Sequence, residues 1–120
     1  MEKSELKMVY GLVRTTDNMN RITIPREFIK TLDWKTGQKV SVIPVICPSL
    51  GHGIFISNKE FGEDVVSSSN TLDDLNRLTI PKLYRAYMGL ESVKEDVEIF
   101  TIELDGLGFG IFIRRWKGLR

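Results

Sequence analysis

With a single cysteine and a single histidine in 120 residues, this chain lacks the means for an internal disulfide, and Cys47 with His52 falls far short of a metal-ligand set. Long apolar runs are missing too. No stretch approaches the roughly 18 apolar residues of a membrane span, and Met1 to Tyr10 is too charged for a secretory leader. The expectation is a cytoplasmic protein with no membrane association, no metal and no cofactor. Catalytic groupings are equally scarce: there is no His/Cys pair, no Ser/His/Asp set, and Gly106-Leu107-Gly108-Phe109-Gly110 leads into a strand rather than a phosphate-binding helix, so catalysis is not expected. Nor does one sign of charge dominate. The formal net charge is +1, with 8 basic against 5 acidic side chains in residues 1 to 58 and 9 against 11 in residues 59 to 120. Any nucleic-acid-binding face must therefore be local, with acids elsewhere offsetting it.

What the chain does have is a duplication. Asp17-Asn18-Met19-Asn20-Arg21-Ile22-Thr23-Ile24-Pro25 returns as Asp73-Asp74-Leu75-Asn76-Arg77-Leu78-Thr79-Ile80-Pro81, and Gly53-Ile54-Phe55-Ile56 returns as Gly110-Ile111-Phe112-Ile113. Two repeats are too few for a solenoid, which needs about three. They suit a closed body with pseudo-two-fold symmetry in which each half covers the other's apolar surface. A half of this length buries too little surface to be robust alone. The expected organisation is one domain over residues 1 to 120, with repeat one at about 8 to 58, a linker at about 59 to 67 and repeat two at about 68 to 116.

Within each repeat the pattern predicts strand, tight turn, short strand, helix and hairpin. Met8 to Thr16 is rich in Val, Tyr and Thr, and Arg21 to Ile24 alternates polar with apolar, as strands do. Asn20 and Asn76 are residue types that accept positive φ at a tight reversal. Pro25 and Pro81 each stop a strand and suit the first position of a helix. The helices should bury Phe28 and Leu32 in one copy, Tyr84 and Met88 in the other, and stop near Asp33 and Gly89. Lys39 to Ile43 and Asp96 to Phe100 alternate, and each should form a hairpin with the Gly-Ile-Phe-Ile strand that follows; the first connection, Pro44 to Gly53, is read as the longer. Asn58 to Asn70 reads as an exposed crossover. Phe28, Phe55, Tyr84, Phe100 and Phe112 are expected in the core, and Trp34 at one end of it.

Val13-Arg14, the turns Asp17 to Arg21 and Asp73 to Arg77, the strand endings Ile24-Pro25 and Ile80-Pro81, and Met88-Gly89 together resemble the AbrB/MazE/SpoVT family of swapped-hairpin DNA-binding domains. The resemblance covers most of both repeats and implies a mainly β fold with two short helices: a pseudo-two-fold swapped-hairpin β-barrel made by two tandem repeats, arranged like the MraZ proteins. It also implies a DNA-binding transcriptional regulator whose partner is double-stranded DNA, so that the protein associates with the nucleoid. A homo-oligomer or a protein partner is compatible with it, and an antitoxin-like module of a toxin–antitoxin pair is the alternative. Carried over residue by residue, the turn arginines are Arg21 and Arg77 and the first-strand arginine is Arg14, with Asn70 at that place in the second copy. Where AbrB-type helices carry two consecutive basic residues, this chain has Ile29-Lys30 and Arg85-Ala86.

The chemistry of these groups supports the same expectation. A guanidinium beside a turn can reach a phosphate or contact guanine in the major groove. Its plain alternative is an ion pair with Asp17, Asp73 or Glu27 that braces the turn. Arg14, Arg26, Lys30, Lys82 and Arg85 are candidate contacts to the sugar-phosphate backbone. The halves differ at Arg14/Asn70, Ile29/Arg85 and Lys30/Ala86, so an imperfect palindrome is the expected target.

Overall fold

The computed structural model describes residues 11 to 118. The predicted start of the first strand, Met8 to Tyr10, lies outside them. Ten elements follow in chain order: β1 (Leu12–Thr15), β2 (Arg21–Thr23), α1 (Arg26–Thr31), β3 (Lys39–Cys47), β4 (Gly51–Ser57), β5 (Ser68–Thr71), β6 (Arg77–Thr79), α2 (Lys82–Met88), β7 (Asp96–Leu104) and β8 (Gly108–Arg115). Strand, short strand, helix and hairpin thus occur twice, in the same sequence.

The repeats are interleaved. Six strands form one antiparallel sheet in the order β1-β7-β8-β4-β3-β5, and β2 pairs with β6 in a separate two-stranded ribbon. β1 of the first repeat lies on β7 of the second, and β5 of the second lies on β3 of the first. The hairpins β3–β4 and β7–β8 meet at the centre, where Ile54, Phe55 and Ile56 face Ile113, Phe112 and Ile111. Read from either edge, the strand order is the same with the repeats exchanged.

The sheet does not close into the barrel that the resemblance implied: β1 and β5 remain its edges. The reason lies in β2 and β6. Each is three residues long and is ended by Pro25 or Pro81, which take up extended backbone (φ −57° and −59°) before the helix. Strands this short satisfy each other in the ribbon and do not bridge the sheet's edges.

Two apolar layers result, one on each face of the sheet. Ile22, Ile24, Leu78 and Ile80 of the ribbon region and Phe28, Tyr84 and Met88 of the helices pack with Val42, Ile54, Ile56, Val97, Ile99, Ile111 and Ile113. Ile22 and Leu78 are opposite one another and fully buried, each worth about 1.5–3 kcal/mol of burial. The opposite face gathers Ile43, Phe55, Phe100, Ile102 and Phe112, with Phe61 and Val65 of the inter-repeat segment half-buried against them. That segment is therefore part of the packing and not merely the exposed crossover expected. All five aromatics expected inside are buried, and so is Trp34, in the layer beside the ribbon.

The repeated Gly-Ile-Phe-Ile has a steric cause. A Cβ on Gly53 would lie 2.6 Å from the tip of the Phe112 ring and against the Ile113 carbonyl; one on Gly110 would lie 2.6 Å from the tip of Phe55 and against the Ile56 carbonyl. Each phenylalanine is seated on the glycine of the other repeat. The hairpins themselves run longer than their alternation suggested: β3 continues through Pro44 to Cys47, leaving a turn far shorter than Pro44 to Gly53. Beyond Val42 no β5 residue pairs with β3, and an unpaired strand side is where proline is tolerated.

Candidate nucleic-acid interface

The two turns between first and second strands are built alike. The Asp17 amide donates to the Arg21 carbonyl (3.0 Å) and the Asn20 amide to the Asp17 carbonyl (3.0 Å); Asp73, Arg77 and Asn76 repeat the pattern at 3.1 and 3.0 Å. Asn20 and Asn76 both sit at φ 60°, as expected from their type. This is a three-residue turn that ends in a left-handed residue, with the geometry of a short hairpin loop although β1 and β2 belong to different sheets. The aspartate locks it: Asp17 Oδ1 accepts from the amides of Met19 (2.8 Å) and Arg21 (2.9 Å), and Asp73 Oδ1 from those of Leu75 (2.9 Å) and Arg77 (2.8 Å).

The second carboxylate oxygen holds the arginine. Arg21 Nε donates to Asp17 Oδ2 at 2.7 Å and Arg77 Nε to Asp73 Oδ2 at 2.6 Å. The brace that the sequence left open as the plain alternative is thus present in both copies. It occupies Nε alone; the terminal nitrogens Nη1 and Nη2 make no hydrogen bond among the described residues, and the side chains retain 24% and 27% exposure. The Asp17 carboxyl is held below its ordinary 3.8, chiefly by the Arg21 amide, with the Met19 amide and the Arg21 guanidinium adding to it against desolvation. For Asp73 the largest single influence is desolvation, which pushes upward. The amide and side chain of Arg77 and the amide of Leu75 together outweigh it, and this carboxyl too lies below 3.8.

The ribbon brings the two arginines together. Arg21 faces Thr79 and Thr23 faces Arg77, on either side of the Ile22–Leu78 pair. Because Ile22 and Leu78 point into the core, the period-two alternation puts Arg21, Thr23, Arg77 and Thr79 on the outward face. Arg21 and Arg77 are diagonal neighbours there, with backbones roughly 7–8 Å apart.

The remaining predicted residues lie outside the ribbon strands. Ile24 donates its amide to the Asn76 carbonyl and Ile80 to that of Asn20, so each chain passes the other repeat's turn as it enters its helix. Arg26 and Lys82, the exposed first residues of α1 and α2, therefore follow those crossings directly. Lys30 is exposed in the last turn of α1. Arg85 is only half exposed, and its Nη1 donates to the Ile80 carbonyl at 2.9 Å, tying α2 to the end of β6. Its counterpart Ile29 is buried, which explains why the basic pair is broken there. Arg14 is not on the ribbon: it is exposed on the edge strand β1, opposite Val97, with Nη1 on the Val13 carbonyl at 2.9 Å.

Residues 13 to 45 match the MazE antitoxin family model. That model is described as "Antidote-toxin recognition MazE, bacterial antitoxin", and the family is part of the AbrB/MazE swapped-hairpin superfamily. The match runs from β1 into β3 of the first repeat and includes Arg14, Arg21, Arg26 and Lys30. No curated protein and no solved structure matches the chain.

Two pseudo-equivalent side chains stand outside the predicted set. Met19 and Leu75, at the tips of the turns, are each 60% exposed although large and apolar. The signal was available, since both copies place an apolar residue in an otherwise polar turn. Among the described residues, no group of three or more His, Cys, Asp or Glu is placed to hold a metal, and no helix is long and apolar enough to cross a membrane.

Proposed function

We propose that this chain is a DNA-binding transcriptional regulator, a single domain of two tandem AbrB-like units arranged as in the MraZ proteins. The observation that carries this reading is the placement of Arg21 and Arg77 side by side on the outward face of one ribbon. A two-stranded ribbon fits the major groove, and an arginine that offers both terminal nitrogens makes the commonest specific contact, to guanine O6 and N7. Holding Nε on an aspartate fixes the guanidinium before binding, which lowers the ordering cost. The match to the MazE family over residues 13 to 45 supports the reading.

The same aspartates offset most of the arginines' charge, so affinity rests on few net cations. Arg26 and Lys82 at the helix starts supply phosphate contacts in this scheme, with Arg14, Lys30 and Arg85 adding to them from the flanks. With up to five phosphates neutralised by these residues, binding should weaken with salt at a slope no steeper than about −4.5, far shallower than that of a strongly basic repressor. The test is a fluorescence-anisotropy titration of duplex DNA at several salt concentrations. Arg21→Ala and Arg77→Ala should each weaken binding, reducing the slope by about one where phosphate is touched and relaxing specificity where a base is touched. Equal binding by the wild type and the double variant rejects the assignment.

One observation favours a second reading, an antitoxin-like module that binds a protein. Pro44, Val66, Leu83, Tyr84, Ala86 and Tyr87 line an apolar groove of about 520 Å³, and Leu83 at its rim is 76% exposed. Exposed apolar grooves mark protein contacts. Co-purification with a ribonuclease-like protein encoded nearby, lost in Leu83→Glu, would favour this reading.

A further inference from the structure

The turn tips carry an expense that the fold does not explain. Tight turns are normally polar, as Asn18 and Asp74 are, yet the next position holds Met19 in one copy and Leu75 in the other. Neither side chain joins either apolar layer. Both are aimed by fixed backbone, because their amides are pinned to Asp17 Oδ1 and Asp73 Oδ1 at 2.8 and 2.9 Å. Each stands two residues before an outward arginine.

The ribbon register gives their separation. Beyond the Arg21–Thr79 and Thr23–Arg77 pairs the ladder is continued by one bond at each end, from the Ile80 amide to the Asn20 carbonyl and from the Ile24 amide to the Asn76 carbonyl. Asn20 and Asn76 are therefore four strand steps apart, about 13 Å at roughly 3.3 Å per residue, with the turn tips Met19 and Leu75 just beyond them. Duplex DNA advances about 3.4 Å per base pair, so the two tips are at least about four base pairs apart, with the arginines about two apart between them. In the major groove the apolar feature within reach of such a side chain is the 5-methyl group of thymine.

We propose that Met19 and Leu75 read thymine methyls at the two ends of a site at least about four base pairs long, flanking the bases taken by Arg21 and Arg77. This rests on the DNA-binding reading and extends it to the residues that set sequence preference. The ligand is duplex DNA with a thymine near each end of the contacted segment. Covering one methyl contributes about four-fold in affinity, the equivalent of one buried carbon.

The experiment uses the full chain and a pool of short duplexes with a randomised centre, from which the wild type selects its preferred site. That site is then made with deoxyuridine replacing thymine one position at a time, which removes only the methyl group, and titrated by anisotropy. The wild type should lose about four-fold at each of two positions at least about four base pairs apart. Met19→Ala should be indifferent to the methyl at one of these positions and Leu75→Ala at the other, with unfolding midpoints unchanged because both side chains are exposed. Equal wild-type affinity for thymine and deoxyuridine at every position overturns the proposal, as does full methyl sensitivity in both variants; the DNA-binding reading survives either result. If the wild type enriches no duplex even at low salt, that reading fails and the methyl contact with it.

Discussion

At the scale of single residues, Asp17 and Asp73 do the positioning: each closes its turn with two amide bonds and holds an arginine by Nε. Their depressed pKa values link this job to pH. A carboxyl whose folded pKa is below its unfolded value contributes stability that is fully present above the unfolded pKa and is lost as pH falls through the folded one. Glu95 behaves likewise, held below 4.5 chiefly by the Ser92 amide, with the Ser92 hydroxyl, the Glu91 amide and Arg115 assisting. The unfolding midpoint should therefore hold steady above those ordinary values and drop as the solution is acidified through and below 3.8. In the Asp17→Asn/Asp73→Asn double variant, the midpoint should start lower at neutral pH and fall less steeply in acid; an acid limb identical to that of the wild type would show that these carboxylates do not carry the effect. The left-handed asparagines were legible from residue type alone. The clasp was not, because the spacing from aspartate to arginine permits a guanidinium turned to its own carboxylate or away from it. Nor were the exposed tips Met19 and Leu75, because a turn has no period from which exposure could be read.

Secondary elements and their packing show a different balance. The order of strands, helices and hairpins within each repeat could be read from alternation, from Pro25 and Pro81 and from the stops at Asp33 (φ 58°) and Gly89 (φ 81°). The length of β3 could not, since Pro44 argues against a strand unless its unpaired side is known, and that depends on where β5 ends. The reciprocal seating of Phe112 on Gly53 and Phe55 on Gly110 is likewise invisible until the repeats are placed against each other. It gives a sharp expectation. Gly53→Ala or Gly110→Ala should destabilise the protein by about 1–3 kcal/mol, because the added methyl meets backbone carbonyl as well as ring, while Gly62→Ala, in open space, should change little. Urea unfolding measures this directly, and equal midpoints for all three variants would mean that the rings can move aside.

For the whole molecule, the duplication announced a body with shared apolar surface, and the exchange of β1 and β5 between repeats is how the sharing is done. The closed barrel implied by the resemblance is not formed: symmetry fixes how halves relate but not whether the edges meet, and the three-residue strands keep them apart. Because each half lends a strand to the other's hairpin, residues 1 to 58 and 59 to 120 made separately should each be unfolded by circular dichroism, and mixing them should restore the native spectrum. Two halves that fold alone would contradict the interleaving. The same interleaving brings Arg21 and Arg77 onto one ribbon, which is the central claim about function. Its most direct test is an NMR titration of labelled protein with duplex DNA, following backbone amides and arginine Nε–H groups together. The account predicts that the strongest shifts fall on residues 17 to 23 and 73 to 79, the two arginine Nε signals among them; shifts confined to α2 and the apolar groove around Leu83, or no shifts at all, would contradict it.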